Sequence, residues 1–593
     1  MKSFLKYTLA TIVGFTIVIF ITFLIMLGIA SAVVSSTEKE VVIKDNSVLE
    51  LKLDKEIVDR TPNDLLQSLD LPIFSSSKLG LDQIISAIEK AKTENKIKGI
   101  YLRISDLSAG YSACEEIRTA LKKFKESGKF IYAYSENYTQ KAYYLSSVAD
   151  KVFITPEGML MFTGIASGSP YFKNAFQKLG IEMQVVRHGK FKAAVEPYLL
   201  DKMSPENREQ VQVYVGSIWN NVVNKISESR NISTQKMNAI ADENMAYRST
   251  ASLLANHLVD SVIYEDQVLN FLRSKSGIKA EKEIPFVSVS DMKSVAEKHE
   301  GKGLAKNKIA VIYAAGEIGM GSSSSYSSEE SIDGISLSKE IRDARLDSTI
   351  KAIVFRVNSP GGSALASELI WREVKLAAST KPTVVSMGNL AASGGYYISC
   401  AADTIVANPT TLTGSIGVFG VIPNTQELFE KKLGINFDVV KTNKLSDMPS
   451  TNRPMTDEER AIMQNMVENV YSTFVNHVAE GRKMTYQQVD EIGQGRVWTG
   501  ENALKLGLVD KLGDLDDAIA IAKEMAHLDR YRIINLPKQK DPFEELMQGF
   551  STKIKTSVIE TELGDAAKYY KTIQSIKNQS GILARLPYEF EME

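Results

Sequence analysis

From Tyr7 to Thr37 the chain carries no charged residue, and the segment TLATIVGFTIVIFITFLIMLGIASAVV within it is apolar almost throughout. A run of this length crosses a hydrocarbon core of about 30 Å as a helix. Lys2 and Lys6 flank its N-terminal side, so the positive-inside rule keeps that end cytoplasmic and exports the remainder of the chain. Ala30-Ser31-Ala32 resembles the processing site of a cleaved leader, but the run exceeds an ordinary leader core, and an uncleaved anchor over residues 1–40 is the expectation. Beyond it the pattern changes to short β-branched runs alternating with helical periodicity. Ile309–Tyr313, Ala352–Val357 and Thr383–Met387 read as strands, and Ile335–Arg345 and Ser363–Ala378 as helices. Strands alternating with helices predict βαβ units around a parallel sheet buried on both faces, an α/β fold.

The pattern occurs twice. Ile97-Lys98-Gly99-Ile100-Tyr101-Leu102-Arg103-Ile104 matches Ile350-Lys351-Ala352-Ile353-Val354-Phe355-Arg356-Val357, and Ala142–Asp150 matches Gly395–Asp403 in the same register, about 253 residues on. Two copies of one domain are therefore expected, at residues 41–300 and 305–540, followed by a tail at 541–593. The polar stretch Lys293–Asn307 reads as a linker, and the Ser-rich Gly321–Glu330 as a loop. The tail gives no functional reading.

Composition narrows the chemistry. With 70 basic against 72 acidic residues in 593, no global field draws a polyanion, so nucleic acid is excluded as a partner. Cys114 and Cys400 sit in apolar helical stretches as buried thiols, and the five histidines are scattered, so no metal site is expected. No cofactor is implied.

Chemistry concentrates in the second copy. There Thr383–Met387 runs into Gly388-Asn389-Leu390-Ala391-Ala392-Ser393-Gly394-Gly395-Tyr396-Tyr397. Small residues around one serine let a peptide backbone approach it, and a helix starting there holds Ser393 at its positive end. Asn358-Ser359-Pro360-Gly361-Gly362-Ser363 is a second strand-to-helix turn able to offer a backbone N–H to the same oxyanion, with Gly394 as the other donor. By spacing alone, both segments read equally well as N-caps and tight turns.

These segments, with Leu412-Thr413-Gly414-Ser415-Ile416-Gly417-Val418, resemble the signal peptide peptidase A family of serine peptidases, built on a crotonase/Clp-protease-like fold. The duplication and N-terminal anchor resemble its long, tandem-domain form, over roughly residues 46–540. The resemblance implies Ser393 as nucleophile, Lys192, directly before Ala193-Ala194-Val195-Glu196-Pro197, as general base, and Ser415 as the hydroxyl that bonds the lysine amine. It further implies signal-peptide remnants and other short apolar peptides as substrates, a homotetramer, and a bacterial inner-membrane protein with its catalytic domains on the periplasmic side.

A lysine takes the serine proton only when neutral, so it must be desolvated or set near positive charge; Arg187, His188 and Lys190 are close in sequence. At the repeat offset the first copy has Gln140 where the second has Ser393, and the second has Ser446 in the lysine slot. Each copy thus keeps one half of a dyad. Lys444, two residues from that slot, is the alternative base. A Ser/His/Asp triad lacks a placed histidine, and no GxSxG elbow surrounds Ser393. The rival readings are a non-catalytic membrane scaffold, which requires neither Ser393 nor Lys192, and a crotonase-like acyl-CoA enzyme, which exported topology disfavours.

Overall fold

The β-branched run Ile350–Ser359 is buried at all but two positions, as a central parallel strand must be. In the computed structural model it pairs with Lys308–Ala315 on one side and Thr383–Ala392 on the other, both parallel. The structure describes residues 42–61, 78–295, 305–321, 331–539 and 582–586, with residues 6–7, 11 and 13–21 near the N-terminus. Among these no helix is long and apolar enough to cross a membrane. Most of the apolar N-terminal run lies outside the described residues, as do most of the Ser-rich loop, much of the Lys293–Asn307 linker and nearly all of the tail.

Two sheets carry the repeat, the first parallel and the second parallel except where Val497–Thr499 pairs antiparallel with Leu412–Gly414 at its end. The first runs in the order Ser261–Val262, Lys151–Leu160, Phe130–Tyr138, Ile97–Arg103, Ser47–Lys52, Phe286–Val287. The second sets Thr383–Ala392, Ile350–Ser359, Lys308–Ala315 and Arg532–Leu536 in the corresponding order, with Thr404–Ala407 and Lys511–Leu512 branching from Thr383–Ala392. Details of bonding recur. The register slips at Ser47/Val48 opposite Ile97, and again at Lys308/Ile309 opposite Ile350. Tyr143 donates its hydroxyl to the Leu258 carbonyl at 2.8 Å, and Tyr396 does the same to Leu508 at 2.8 Å. Asp260 accepts from the Val152 N–H, and Asp510 from the Ile405 N–H. A 26-residue helix follows in each copy, Pro205–Arg230 capped by Ser204 and Asp457–Arg482 capped by Thr456. Cys114 and Cys400 are fully buried, and burial pushes both thiols up to about 12.

A third sheet joins the copies. The strand Glu182–His188 of the first pairs antiparallel with Val418–Asn424 of the second, from Glu182 opposite Asn424 to His188 opposite Val418. Deeper in the seam Arg356 is buried, donating from Nε to Asp59 at 2.8 Å and from Nη2 to Glu116 at 2.8 Å, both residues of the first copy.

Candidate active site

The strand Thr383–Ala392 does not stop at Met387, as its apolar pattern predicts, but continues through Asn389-Leu390-Ala391-Ala392 to Ser393. It is held there by Leu412–Gly414, with Ala392 opposite Gly414. Ser393 then takes φ 56°, ψ −115°, a left-handed value unusual for a side-chain-bearing residue, fixed by its N–H donating to the Gly414 carbonyl at 2.8 Å. This kink turns the hydroxyl out of the strand. Glycines must follow, because a Cβ on Gly395 would lie 2.6 Å from the Ser359 carbonyl oxygen. The helix expected to point its positive end at Ser393 is a single turn, Gly394–Tyr397. A macrodipole sums over several turns, so any help from this element comes from local N–H groups.

The strand Glu182–His188, added to the edge of Val418–Asn424, delivers Lys192 from the other copy. Main-chain contacts across the seam lock the segment. Phe191 donates its N–H to the Gln494 carbonyl at 3.0 Å, while Gln210 donates to the Phe191 carbonyl at 3.0 Å and accepts from the Val497 N–H at 3.1 Å. Beneath the following turn the buried Glu196 carboxylate accepts from the Ser204 hydroxyl at 2.5 Å and from Asn207 at 2.9 Å. Gly495 packs against the lysine itself, for a Cβ there would sit 2.6 Å from the Lys192 Cα.

Lys192 Nζ lies 2.7 Å from Ser393 Oγ, 3.1 Å from Ser415 Oγ and 3.4 Å from the Ser415 carbonyl oxygen. Lys192, Ser393 and Ser415 are all fully buried. Burial alone drives the amine well below the ordinary lysine pKa of 10.5. The neighbouring basic residues do not share that work: Arg187 donates to the Lys192 carbonyl, His188 bonds Glu468 and stacks on Tyr471, and Lys190 lies over Phe191.

Lys444 is exposed and ion-paired with Glu458. Ser446 bonds the Asn443 carbonyl in an exposed turn. Gln140 has a structural role, donating to Tyr111 and accepting from the N–H groups of Thr163 and Gly164. Gly361 and Gly362 take φ 98° and 156° beside Ser393, and a Cβ on Gly361 would lie 2.6 Å from the Gly394 nitrogen. The Gly361 N–H is taken by Ser359 Oγ at 3.1 Å. Among the described residues no group of three or more His, Cys, Asp or Glu is placed to hold a metal.

The profile of Peptidase family S49 matches residues 123–279 and again 375–529, one match in each copy. The chain belongs to this family. Protease 4 of Salmonella typhi is 40% identical, over 80% of this chain and 78% of its own. The chloroplastic serine protease SPPA of Arabidopsis thaliana is 32% identical over 86% of this chain and 74% of its own, and a putative signal peptide peptidase SppA of Enterococcus faecium is 35% identical over 39% and 67%. This S49 chain is a serine peptidase. Sequence reasoning named the two side chains that meet but missed Gln210, Glu196 and Gly495, which hold one of them in place.

Proposed function

We propose that Ser393 and Lys192 form the catalytic dyad of a membrane-anchored signal peptide peptidase. The neutral Lys192 amine takes the Ser393 proton as Oγ attacks a peptide carbonyl, and the resulting ammonium is held by Ser415. The oxyanion faces the backbone N–H groups of Gly362 and Gly394. Lys192 then protonates the leaving amine, and water releases the acyl group by the same steps in reverse. The observation that carries this reading is the buried 2.7 Å contact between Nζ and Oγ, with the amine's pKa lowered by burial.

Signal-peptide remnants and other short apolar peptides are taken as the substrates, and the name of the Enterococcus relative supports the same class. The apolar run beginning at Tyr7 supports single-pass anchoring in a bacterial inner membrane with the catalytic copies, 41–300 and 305–540, on the periplasmic side. Each copy is taken as a crotonase/Clp-like unit, and a homotetramer as the assembly. The test is hydrolysis of a fluorogenic apolar peptide by folded Ser393→Ala, Lys192→Ala and Lys444→Ala. The first two lose about 10³-fold or more in kcat/KM and the third keeps parental activity. Full activity in Lys192→Ala removes the proposed base.

A further inference from the structure

Four residues before Ser393, the strand that leads to it bulges toward the first copy. Thr383–Ala392 is in register with Ile350–Ser359 at Met387 opposite Val357 and again at Ala391 opposite Ser359, so Gly388, Asn389 and Leu390 stand against Asn358 alone. Surplus residues on one strand make a bulge, a device that re-aims side chains beside a site. It also strands main-chain groups that the ladder would have paired, and each needs another partner. Here the Leu390 N–H donates to Asn358 Oδ1 at 3.1 Å, and the Gly388 carbonyl accepts from the buried Thr411 hydroxyl at 2.7 Å. Asn358 in turn donates to Asp59 of the first copy.

The middle residue of the bulge crosses the seam. Asn389 Oδ1 accepts from the Ala113 N–H at 3.1 Å, in the first turn of the first-copy helix Tyr111–Lys125. That helix has Gly110 at its N-cap, which offers no side chain to the N–H groups of the first turn. Asn389 supplies the missing cap from the other copy. Gly110 also makes the room for it, since a Cβ there would lie 2.1 Å from Asn389 Oδ1. With φ −74° and ψ 159°, Gly110 has a backbone that any residue adopts, so the requirement for glycine comes from Asn389.

We infer that Asn389 is a positioning residue for Ser393: by capping a helix of the copy that carries Lys192, it fixes the bulge and with it the place of the hydroxyl relative to the amine. The inference rests on the functional reading above. The Lys192 segment is clamped from the second copy, through the Gln494 carbonyl and the Val497 N–H, and the Ser393 strand is clamped from the first. Each reacting side chain is thus held by the copy that carries the other. Misalignment of the two costs rate rather than substrate binding.

Full-length variants and a fluorogenic apolar peptide test this. Asn389→Ala lowers kcat about 10-fold or more with KM within twofold of the parent, and it slows labelling of Ser393 by a fluorophosphonate to the same degree. Asn389→Asp keeps the acceptor oxygen, and kcat returns to within about threefold of the parent. Gly110→Ala, in the other copy, drives the carboxamide off the cap and lowers kcat as Asn389→Ala does. Combined with Asn389→Ala it costs nothing further, because the methyl fills space the carboxamide has left. Parental kcat in either single alanine variant overturns the inference, as does a fully multiplicative loss in the double variant or no recovery in Asn389→Asp. If Asn389→Ala does not fold, Gly110→Ala and Asn389→Asp decide by the same criteria. Failure of the dyad reading is seen separately, as retained hydrolysis in Ser393→Ala with Asn389 intact.

Discussion

Among the described residues Lys192 is a basic side chain buried with no carboxylate paired to its amine, its Nζ bonding the two serine hydroxyls and one carbonyl oxygen and lying 5.9 Å from the centre of the Phe419 ring. Its folded pKa is lowered by desolvation, whereas in the unfolded chain it titrates near 10.5. Between those two values the unfolded state binds the extra proton, so folding stability rises with pH across that window and is lowest below the folded pKa. Lys192→Met removes that penalty. The variant is expected to be inactive yet more stable at pH 7 by about 0.5–2 kcal/mol, with the gain shrinking as pH approaches 10.5. Denaturant melts at the two pH values check this, and equal stabilisation at both argues against a neutral amine in the fold. With Lys192 as the proposed base, the same titration governs rate. kcat/KM should rise with pH along a single-proton limb whose midpoint lies below the ordinary lysine value, because only the uncharged amine accepts a proton.

At the scale of elements, the geometry of the proposed dyad depends on how the Lys192 segment is clamped by the turn before Val497–Thr499. Gly495 has φ +84°, and an added methyl would meet the Lys192 backbone N and Cα at 2.6 Å, atoms that cannot swing aside. Gly495→Ala should therefore shift Lys192 away from Ser393 and lower kcat/KM about 10–100-fold at unchanged substrate binding. Stopped assays at saturating and limiting peptide separate the two, and parental kcat would show that the clamp is loose. The same elements show what the sequence discloses. The strands Lys308–Ala315 and Ile350–Ser359 were legible from their apolar β-branched residues. The far end of Thr383–Ala392 was not, since Gly388 to Ala392 are mostly small residues held in the strand by partners on both sides. Ser393 and Lys192 were named through the family resemblance their segments carry, since spacing alone read the Ser393 segment equally well as a cap and a turn. Gln210 and Gly495 act through main-chain contacts between segments remote in sequence and leave no local pattern. The short Ile582–Arg585 strand carries too few residues for any period to register.

For the molecule as a whole, the proposed dyad, divided between two copies, works only while the seam is rigid. The pairing of Glu182–His188 with Val418–Asn424 supplies part of that rigidity, and the buried Arg356 cluster supplies another. Burial pushes Glu116 up to about 7 even with the Arg356 guanidinium opposing the shift. Arg356→Met leaves the Asp59 and Glu116 carboxyls facing each other without a cation, at a cost of about 3–5 kcal/mol. A carboxyl whose folded pKa is raised loses stability as pH rises from its unfolded value through its folded one. The defect in Arg356→Met should therefore be small near pH 5 and grow toward pH 8. Adding Asp59→Asn and Glu116→Gln to Arg356→Met removes the uncompensated charge, so the triple variant should recover most of the lost stability and lose its pH dependence. Peptide hydrolysis should follow the same order, although neither Lys192 nor Ser393 is altered, because the seam sets the distance between them. A single Arg356→Met variant with parental stability and activity at pH 8 would mean that strand pairing alone holds the two copies in register.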